Sequence, residues 1–311
     1  SSSSRNFGSR TNARATSTRR RTRDVLLSAL AGAADVTIVT TTHRDHAAEI
    51  AAQARADGVD AVIAYGGDGT VNEVVNGLLE AGTGPDVPLL GVVPGGSANV
   101  FARNLGLPND ALESAGRLIR AMADPVRTRS IGLGMANERW FTFNTGLGYD
   151  ADTVLAVENA RHRGKRATPG LYVRSAVRTY FEQDRRTPLI SGELPGGEVL
   201  PELFLALVTN CSPWTYLGPR PIRTAPRSSF DAGLDLVGTT SLGIPTILKH
   251  AAEIVGGRSG PRGHDVVQRH DLPWVTLTAA DPLGYQVDGD YLGTTTELAC
   301  RGVPDALRVL V

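Results

Sequence analysis

Gly66-Gly67-Asp68-Gly69-Thr70 is the run in this chain with the clearest chemistry. It stands between an apolar stretch, Ala61-Val-Ile-Ala-Tyr65, and apolar residues at helical spacing from Val71 to Leu79. Glycine lets a backbone come close to a ligand and adopt positive φ. The N–H groups at a helix N-terminus, with the helix dipole behind them, form an anion site. Thr70 can cap the helix or give its hydroxyl to a phosphate. Asp68 is the informative residue, because an acid in a phosphate-binding turn repels the anion. It fits such a turn if Mg²⁺ lies between them, or if it orients a reacting hydroxyl. A tight strand-to-helix turn with Asp68 as a local cap accounts for the run as well.

A second glycine loop, Pro94-Gly-Gly-Ser-Ala-Asn99, follows the next apolar run, Leu89-Leu-Gly-Val-Val93, and leads into helical spacing from Asn99. Two such loops at the carboxyl ends of neighbouring parallel strands make the crevice in which open α/β sheets bind ligands. The common phosphate motifs are excluded by spacing. Gly164-Lys165 is followed by Arg166, so there is no Walker-type loop, and no GxGxxG follows a strand.

The elements that must carry these loops are legible from periodicity. Helical spacing at Val25–Leu30 and Ala47–Ala56, and apolar runs at Val36–Val39, Ala61–Tyr65 and Leu89–Val93, alternate through the first third. Strand, glycine turn and helix in repetition signify a parallel sheet with crossover helices. After Pro125 short alternating runs take over: Trp140–Asn144, Leu203–Thr209, Leu234–Gly238, Trp274–Leu277 and Tyr285–Val287. Helical patterns appear at Ala151–Arg161 and Leu171–Phe181. The expectation is an α/β domain with a parallel sheet over 24–127, then a second β-rich, mainly antiparallel domain over 128–299. Residues 1–23, rich in Ser and Arg, read as a solvated tail.

Composition removes several function classes. Acids and bases balance at 32 each, so no overall field favours nucleic acid. Cys211 and Cys300 are far apart, which rules out a disulfide scaffold or a cysteine zinc site. Apolar runs fall well short of the roughly 20 residues of a membrane span, and no secretory leader pattern is visible, so a cytoplasmic protein is expected. His264-Asp265 and His270-Asp271 lie in a Gly-, Pro- and charge-rich stretch and read as a solvated loop. Trp140, Trp214 and Trp274 read as core. Arg161-His-Arg-Gly-Lys-Arg166, with Arg174 and Arg178, is a solvated face or a contact for an anionic bilayer. A GxSxG hydrolase motif is missing.

These residues resemble the diacylglycerol kinase catalytic-domain family, which includes bacterial lipid kinases and sphingosine kinases. Gly66-Gly-Asp-Gly-Thr-Val-Asn-Glu73 matches the family's nucleotide signature, and Pro94-Gly-Gly-Ser-Ala-Asn-Val-Phe-Ala-Arg103 its second loop. Gly146-Leu-Gly-Tyr-Asp150, Phe230-Asp-Ala-Gly-Leu-Asp235 and Val287-Asp-Gly-Asp290 follow in order. The resemblance implies a two-domain fold whose last strand, about 300–311, returns to the first domain. It also implies ATP in the interdomain cleft, held by Gly66, Gly67, Asp68, Gly69, Thr70, Val71, Asn72, Gly96, Ser97, Asn99 and a threonine matching Thr41. A structural Mg²⁺ would take the Asp231 side chain and main-chain oxygens of Ser228 and Gly233. Asp290 occupies the position of the family's catalytic glutamate, with Asp68 as the second functional acid.

Three positions depart from the family pattern. An apolar first strand ending in Asn-Pro is replaced by Asn12-Ala-Arg14 in a polar stretch, so the expectation is either a missing sheet edge or an N-terminus that is not the native one. Val100 replaces the usual acid. Asp290 is shorter than glutamate by one C–C bond, roughly 1.5 Å. The expected activity is ATP- and Mg²⁺-dependent phosphorylation of a lipid hydroxyl at a membrane surface, by a protein that attaches peripherally; a homodimer is left open. The alternatives are a kinase of a soluble substrate, as in NAD kinases, and a catalytically weak nucleotide- or lipid-binding relative.

Overall fold

The computed structural model describes residues 11–16, 32, 34–148, 151, 189–217, 220–256 and 260–311. The expected helices at Val25–Leu30 and Leu171–Phe181, nearly all of Ala151–Arg161, the basic stretch 161–178 and residues 149–150 lie outside them. The chain divides into two units, one of Ser1–Ile131 with Asp305–Val311 and the other of Gly132–Pro304. The changes of unit come a few residues beyond the expected positions, within strands rather than between them.

The first unit is a parallel sheet with helices. In chain order it comprises β1 (Thr11–Thr16), β2 (Ala34–Val39), α1 (His46–Ala56), β3 (Ala61–Gly66), α2 (Asp68–Leu78), β4 (Leu89–Pro94), α3 (Val100–Asn104) and α4 (Ala111–Ala123). The strands run β2-β1-β3-β4, all parallel, and Val309 near the C-terminus pairs with Leu90 of β4, also in parallel. Every residue of β3 and β4 is buried, as expected for parallel strands covered on both faces. Ile63, Tyr65, Val93, Leu118, Met122 and Leu310 form the core between the sheet and α4. Asp110 caps α4 by accepting from Leu112 N and Glu113 N, both at 3.0 Å. Helices α1 and α2 cross so closely at Gly77 that a Cβ there would fall 2.0 Å from the Ala48 carbonyl oxygen.

One expectation is corrected here. Residues 1–23 read as a tail, with no first strand, yet Thr11–Thr16 forms β1 between β2 and β3. A strand paired on both edges satisfies its whole backbone through its neighbours, and hydropathy does not register that.

The second unit is β-rich and antiparallel. It contains β5 (Thr128–Ala136, beginning in the first unit), β6 (Arg139–Phe141), β7 (Asn144–Gly148), β8 (Ile190–Leu194), β9 (Glu198–Val199), β10 (Leu205–Thr209), β11 (Thr215–Leu217) and β12 (Arg220–Ile222). After these come β13 (Leu234–Thr239), α5 (Ile244–Gly256), β14 (Val266–Leu272), β15 (Trp274–Val287) and β16 (Asp290–Leu310). The strand order is β14-β13-β10-β7-β15-β16, with β8 also on β15 and β11–β12 a separate hairpin. Phe141, Leu147, Val208, Leu236, Leu277 and Leu298 are in its core. Trp140 is buried, whereas Trp214 and Trp274 are half-buried.

The strand readings change in two places. Trp274–Leu277 and Tyr285–Val287 belong to one strand, β15, whose register shifts between Thr278 and Leu283. Trp140–Asn144 is broken at Thr142–Phe143, where the backbone N–H groups turn toward Asp288 instead of a neighbouring strand. The two His-Asp pairs read as a solvated loop; His264 does lie exposed in a turn, but Asp265 is buried, and His270-Asp271 belongs to β14. Asp265 is buried beside His250, and His270 Nδ1 lies 2.6 Å from Asp235 Oδ1.

Candidate active site

In the first unit the two glycine loops meet through bare backbone. Gly95 N donates to Gly66 O at 2.8 Å. A Cβ on Gly95 would lie 3.2 Å from Gly66 Cα, and one on Gly96 would lie 2.7 Å from Gly67 Cα. None of Gly66, Gly67, Gly69, Gly95 and Gly96 has positive φ; the left-handed residue is Asn99, at φ 49°. Close approach, not a special dihedral, is therefore what these glycines provide. Thr70 stands over Gly66, its Oγ1 2.6 Å from where a Cβ would be.

Helix α2 starts at Asp68, so Thr70 lies inside the first turn and is not its cap. The first intrahelical bond is Val71 N to Gly67 O at 3.1 Å, and the amides of Gly69 and Thr70 precede it at the positive end of the helix. Asp68 reaches the second loop: its Oδ1 accepts from Phe101 N at 3.1 Å, at the start of α3. It thus ties the two loops together. Asn99, almost fully buried, clamps the second loop by accepting from Gly96 N at 2.9 Å and donating to Gly96 O at 3.1 Å and Asn109 Oδ1 at 2.8 Å. Gly96 and Ser97 remain exposed. Val71 is in the core, and buried Asn72 accepts from Asn76 Nδ2. Thr41 follows β2 at the same carboxyl edge of the sheet that carries both loops.

The remaining expected residues are in the second unit. Ser228, Asp231 and Gly233 share one loop, which folds on itself through Ser228 N to Ala225 O, Ala232 N to Ser229 O and Asp231 N to Ser229 Oγ. Gly233 N donates to Asp271 Oδ1 at 2.7 Å, and a Cβ on Gly233 would meet the Leu272 carbonyl at 2.6 Å. One carboxylate and two main-chain carbonyls within six residues are hard oxygen donors, a set that suits Mg²⁺. Asp235, two residues on, is buried, and burial pushes its carboxyl above the usual range against the opposing bond from His270. Elsewhere, among the described residues, His43, His46 and Glu49 bring ligand atoms within 4.8 Å of one another. The two rings stack at 4.4 Å, and Thr42 N donates to His46 Nδ1.

Asp290 opens β16, directly after the turn residues Asp288 and Gly289. Sequence reasoning passed over Asp288, whose buried carboxylate accepts from Thr142 N, Thr142 Oγ1, Phe143 N and Asn144 N. Burial raises its pKa, and these donors oppose the rise. The available signal was an acid set before glycine at a two-residue hairpin, a position normally in water.

The model of the diacylglycerol kinase catalytic domain matches residues 11–131, from β1 into β5. A diacylglycerol kinase of Bacillus subtilis is 30% identical over 246 residues, 75% of this chain and 72% of that protein. The chain belongs to the diacylglycerol kinase family. A probable lipid kinase of Chromohalobacter salexigens, described as YegS-like, is 29% identical over 78% of this chain and 73% of its own length. Among solved structures, a diacylglycerol kinase from Bacillus anthracis superposes with a TM-score of 0.70 at 20% identity, covering 96% of each chain. An NAD kinase from Archaeoglobus fulgidus in complex with ATP reaches 0.53 at 10% identity, covering 97% of this chain and 93% of its own. These last two likenesses concern the fold alone. No helix among the described residues is long and apolar enough to cross a membrane.

Proposed function

We propose that this diacylglycerol kinase family member transfers the γ-phosphoryl group of ATP, in a Mg²⁺-dependent reaction, to the hydroxyl of a diacylglycerol- or sphingosine-like lipid. The acceptor is taken from a membrane surface that the protein touches without inserting. The observation that carries this reading is the backbone-to-backbone seating of the Gly66–Gly67 and Gly95–Gly96 loops. It supports a phosphate cradle of N–H groups from Gly67, Gly69, Thr70 and Ser97, with Thr41, Gly66, Val71, Asn72, Gly96 and Asn99 shaping it. Such preset donors stabilise charge developing on the transferred group with little reorganisation.

Asp290 accepts the proton of the attacking hydroxyl. Asp68 keeps the loops in register through Phe101 N and acts on the nucleotide side of the reaction. Ser228, Asp231 and Gly233 would hold a structural Mg²⁺, whose charge would draw that loop's oxygens together. The relatives named diacylglycerol kinase and lipid kinase support the lipid acceptor.

ATP consumption measured with diacylglycerol in mixed micelles, with empty micelles and with NAD⁺ tests this reading. Turnover that requires the lipid-bearing micelles is expected. Transfer to NAD⁺ would move the assignment to the soluble-substrate branch of the fold. ATP binding without turnover in any arm would make the protein a non-catalytic nucleotide binder.

A further inference from the structure

Asp288 and Gly289 form the two-residue turn between β15 and β16, with φ of 49° and 80°, and Val287 pairs with Asp290 to close it. Positive φ at both positions is the type I′ requirement, and Asp-Gly meets it unaided. A hairpin of this kind needs no further fastening, and its side chains ordinarily face water. Here the turn is tied down at several points. The Asp288 side chain is buried, with Oδ2 accepting from Thr142 N at 2.7 Å and Thr142 Oγ1 at 2.8 Å, and Oδ1 accepting from Phe143 N at 2.9 Å and Asn144 N at 3.1 Å.

The turn's backbone is held as well. Asp288 N donates to Asn144 O at 2.8 Å and Gly289 N to Gln286 Oε1 at 2.8 Å, while Gln286 Nε2 donates to Asn144 Oδ1 at 2.8 Å. Segment 142–144 is in turn braced from behind by Asn210, which donates through Nδ2 to Thr142 O and Gly132 O and through N to Phe143 O. Breaking β6 from β7 to supply three consecutive amides, and burying a carboxylate on them, is costly. The next residue in the chain is Asp290.

We propose that Asp288 is the positioning residue of the phosphoryl transfer: anchored on Thr142–Asn144, it fixes the backbone from which Asp290 reaches the acceptor hydroxyl. This rests on the reading of Asp290 as the base. Aspartate is a short base that must come within roughly 3 Å of the hydroxyl, so it has little reach with which to absorb backbone drift. A misplacement of about 1 Å costs on the order of 10²-fold in rate.

The test combines kinetics with a measurement of local order. Asp288→Asn turns an amide NH₂ toward backbone donors. It should lower kcat for diacylglycerol in mixed micelles by about 10- to 100-fold and leave KM for ATP unchanged. Gln286→Met, a milder loosening of Gly289, should lower kcat by a smaller factor. If Asp288 acts through Asp290, the double variant Asp288→Asn/Asp290→Asn is no slower than Asp290→Asn alone, because residues acting as a unit are not additive. Multiplying effects would overturn the positioning role, while Asp290→Asn at the parent rate would instead remove the base assignment.

Amide hydrogen exchange reads the positioning whichever lipid is the acceptor. Exchange at 288–291 should rise in both the Asp288→Asn and Gln286→Met proteins, with protection elsewhere in β15 and β16 retained. Unchanged exchange at 288–291 in both would refute the proposal.

Discussion

Replacing Gly96 by alanine adds one methyl group at the point where the two glycine loops touch. Its Cβ would lie 2.7 Å from Gly67 Cα and 3.0 Å from Asn99 Oδ1. Backbone faces backbone at the closer contact, so no side chain can rotate away, and the loops have to part by about 0.8 Å to reach even the short end of an ordinary carbon–carbon separation, about 3.5 Å. Overpacking of this kind costs about 1–3 kcal/mol. The same displacement exceeds the width of the N–H···O hydrogen-bond range, about 0.5 Å, so N–H groups from one loop no longer serve a phosphate seated on the other. Losing one charge-assisted bond worth about 1.5–3 kcal/mol corresponds to a roughly 10- to 150-fold weaker ATP Kd. Calorimetric ATP titration and thermal melting of Gly96→Ala measure both effects. Gly116→Ala is the control, because it lies inside α4 and its Cβ would meet only Arg120 Nη1, at 3.7 Å. That variant should be neutral or slightly stabilised, since alanine is favoured over glycine in helices by up to about 1 kcal/mol. If Gly96→Ala melts with the parent and binds ATP with unchanged affinity, the loop contact is not what shapes the phosphate site.

Three further outcomes are expected. Asp231→Ala should abolish the rise of melting temperature with added Mg²⁺, since linked stabilisation disappears with its site; a retained Mg²⁺ response would place the metal elsewhere. Gly77→Val should destabilise the protein by about 3 kcal/mol, the upper end for overpacking, in chemical denaturation, because its Cβ would overlap the Ala48 carbonyl, and a parent-like midpoint would contradict the α1–α2 crossing. The third concerns Asp86, whose carboxyl Arg55 holds below its ordinary value of 3.8. A depressed folded pKa gives stability that is present above the unfolded value and lost as pH falls through the folded one. The melting-temperature gap between the parent and Asp86→Asn should therefore be steady near neutral pH and close below 3.8, and a gap that widened on acidification would refute the ion pair.

The parallel half was legible because its signals are local. Ala61–Tyr65 and Leu89–Val93 are buried on both faces and so read as unbroken apolar runs, with glycine marking where each ends. What escaped was set by partners distant in sequence. β1 is stabilised by backbone pairing with β2 and β3, which composition does not reveal. Asp68 reads as a ligand or a cap of its own helix, and nothing local signals that its Oδ1 meets Phe101 N, 33 residues on. Asp288 finds its donors at Thr142–Asn144, about 145 residues earlier, and those donors also explain why Trp140–Asn144 is not one strand. His270 and Asp271 look like loop residues until β14 pairs with β13 and brings them to Asp235 and Gly233.

Transfer of label from γ-labelled ATP into the organic phase of diacylglycerol mixed micelles, by the parent protein and by Asp290→Asn, tests the central claim most directly. The expected result is a labelled phospholipid formed by the parent. Its rate should fall about 10²- to 10⁴-fold in Asp290→Asn while ATP affinity is retained. Label that appears only as inorganic phosphate or in a soluble acceptor, or that enters lipid equally fast with Asp290→Asn, would contradict a lipid kinase that uses Asp290 as its base.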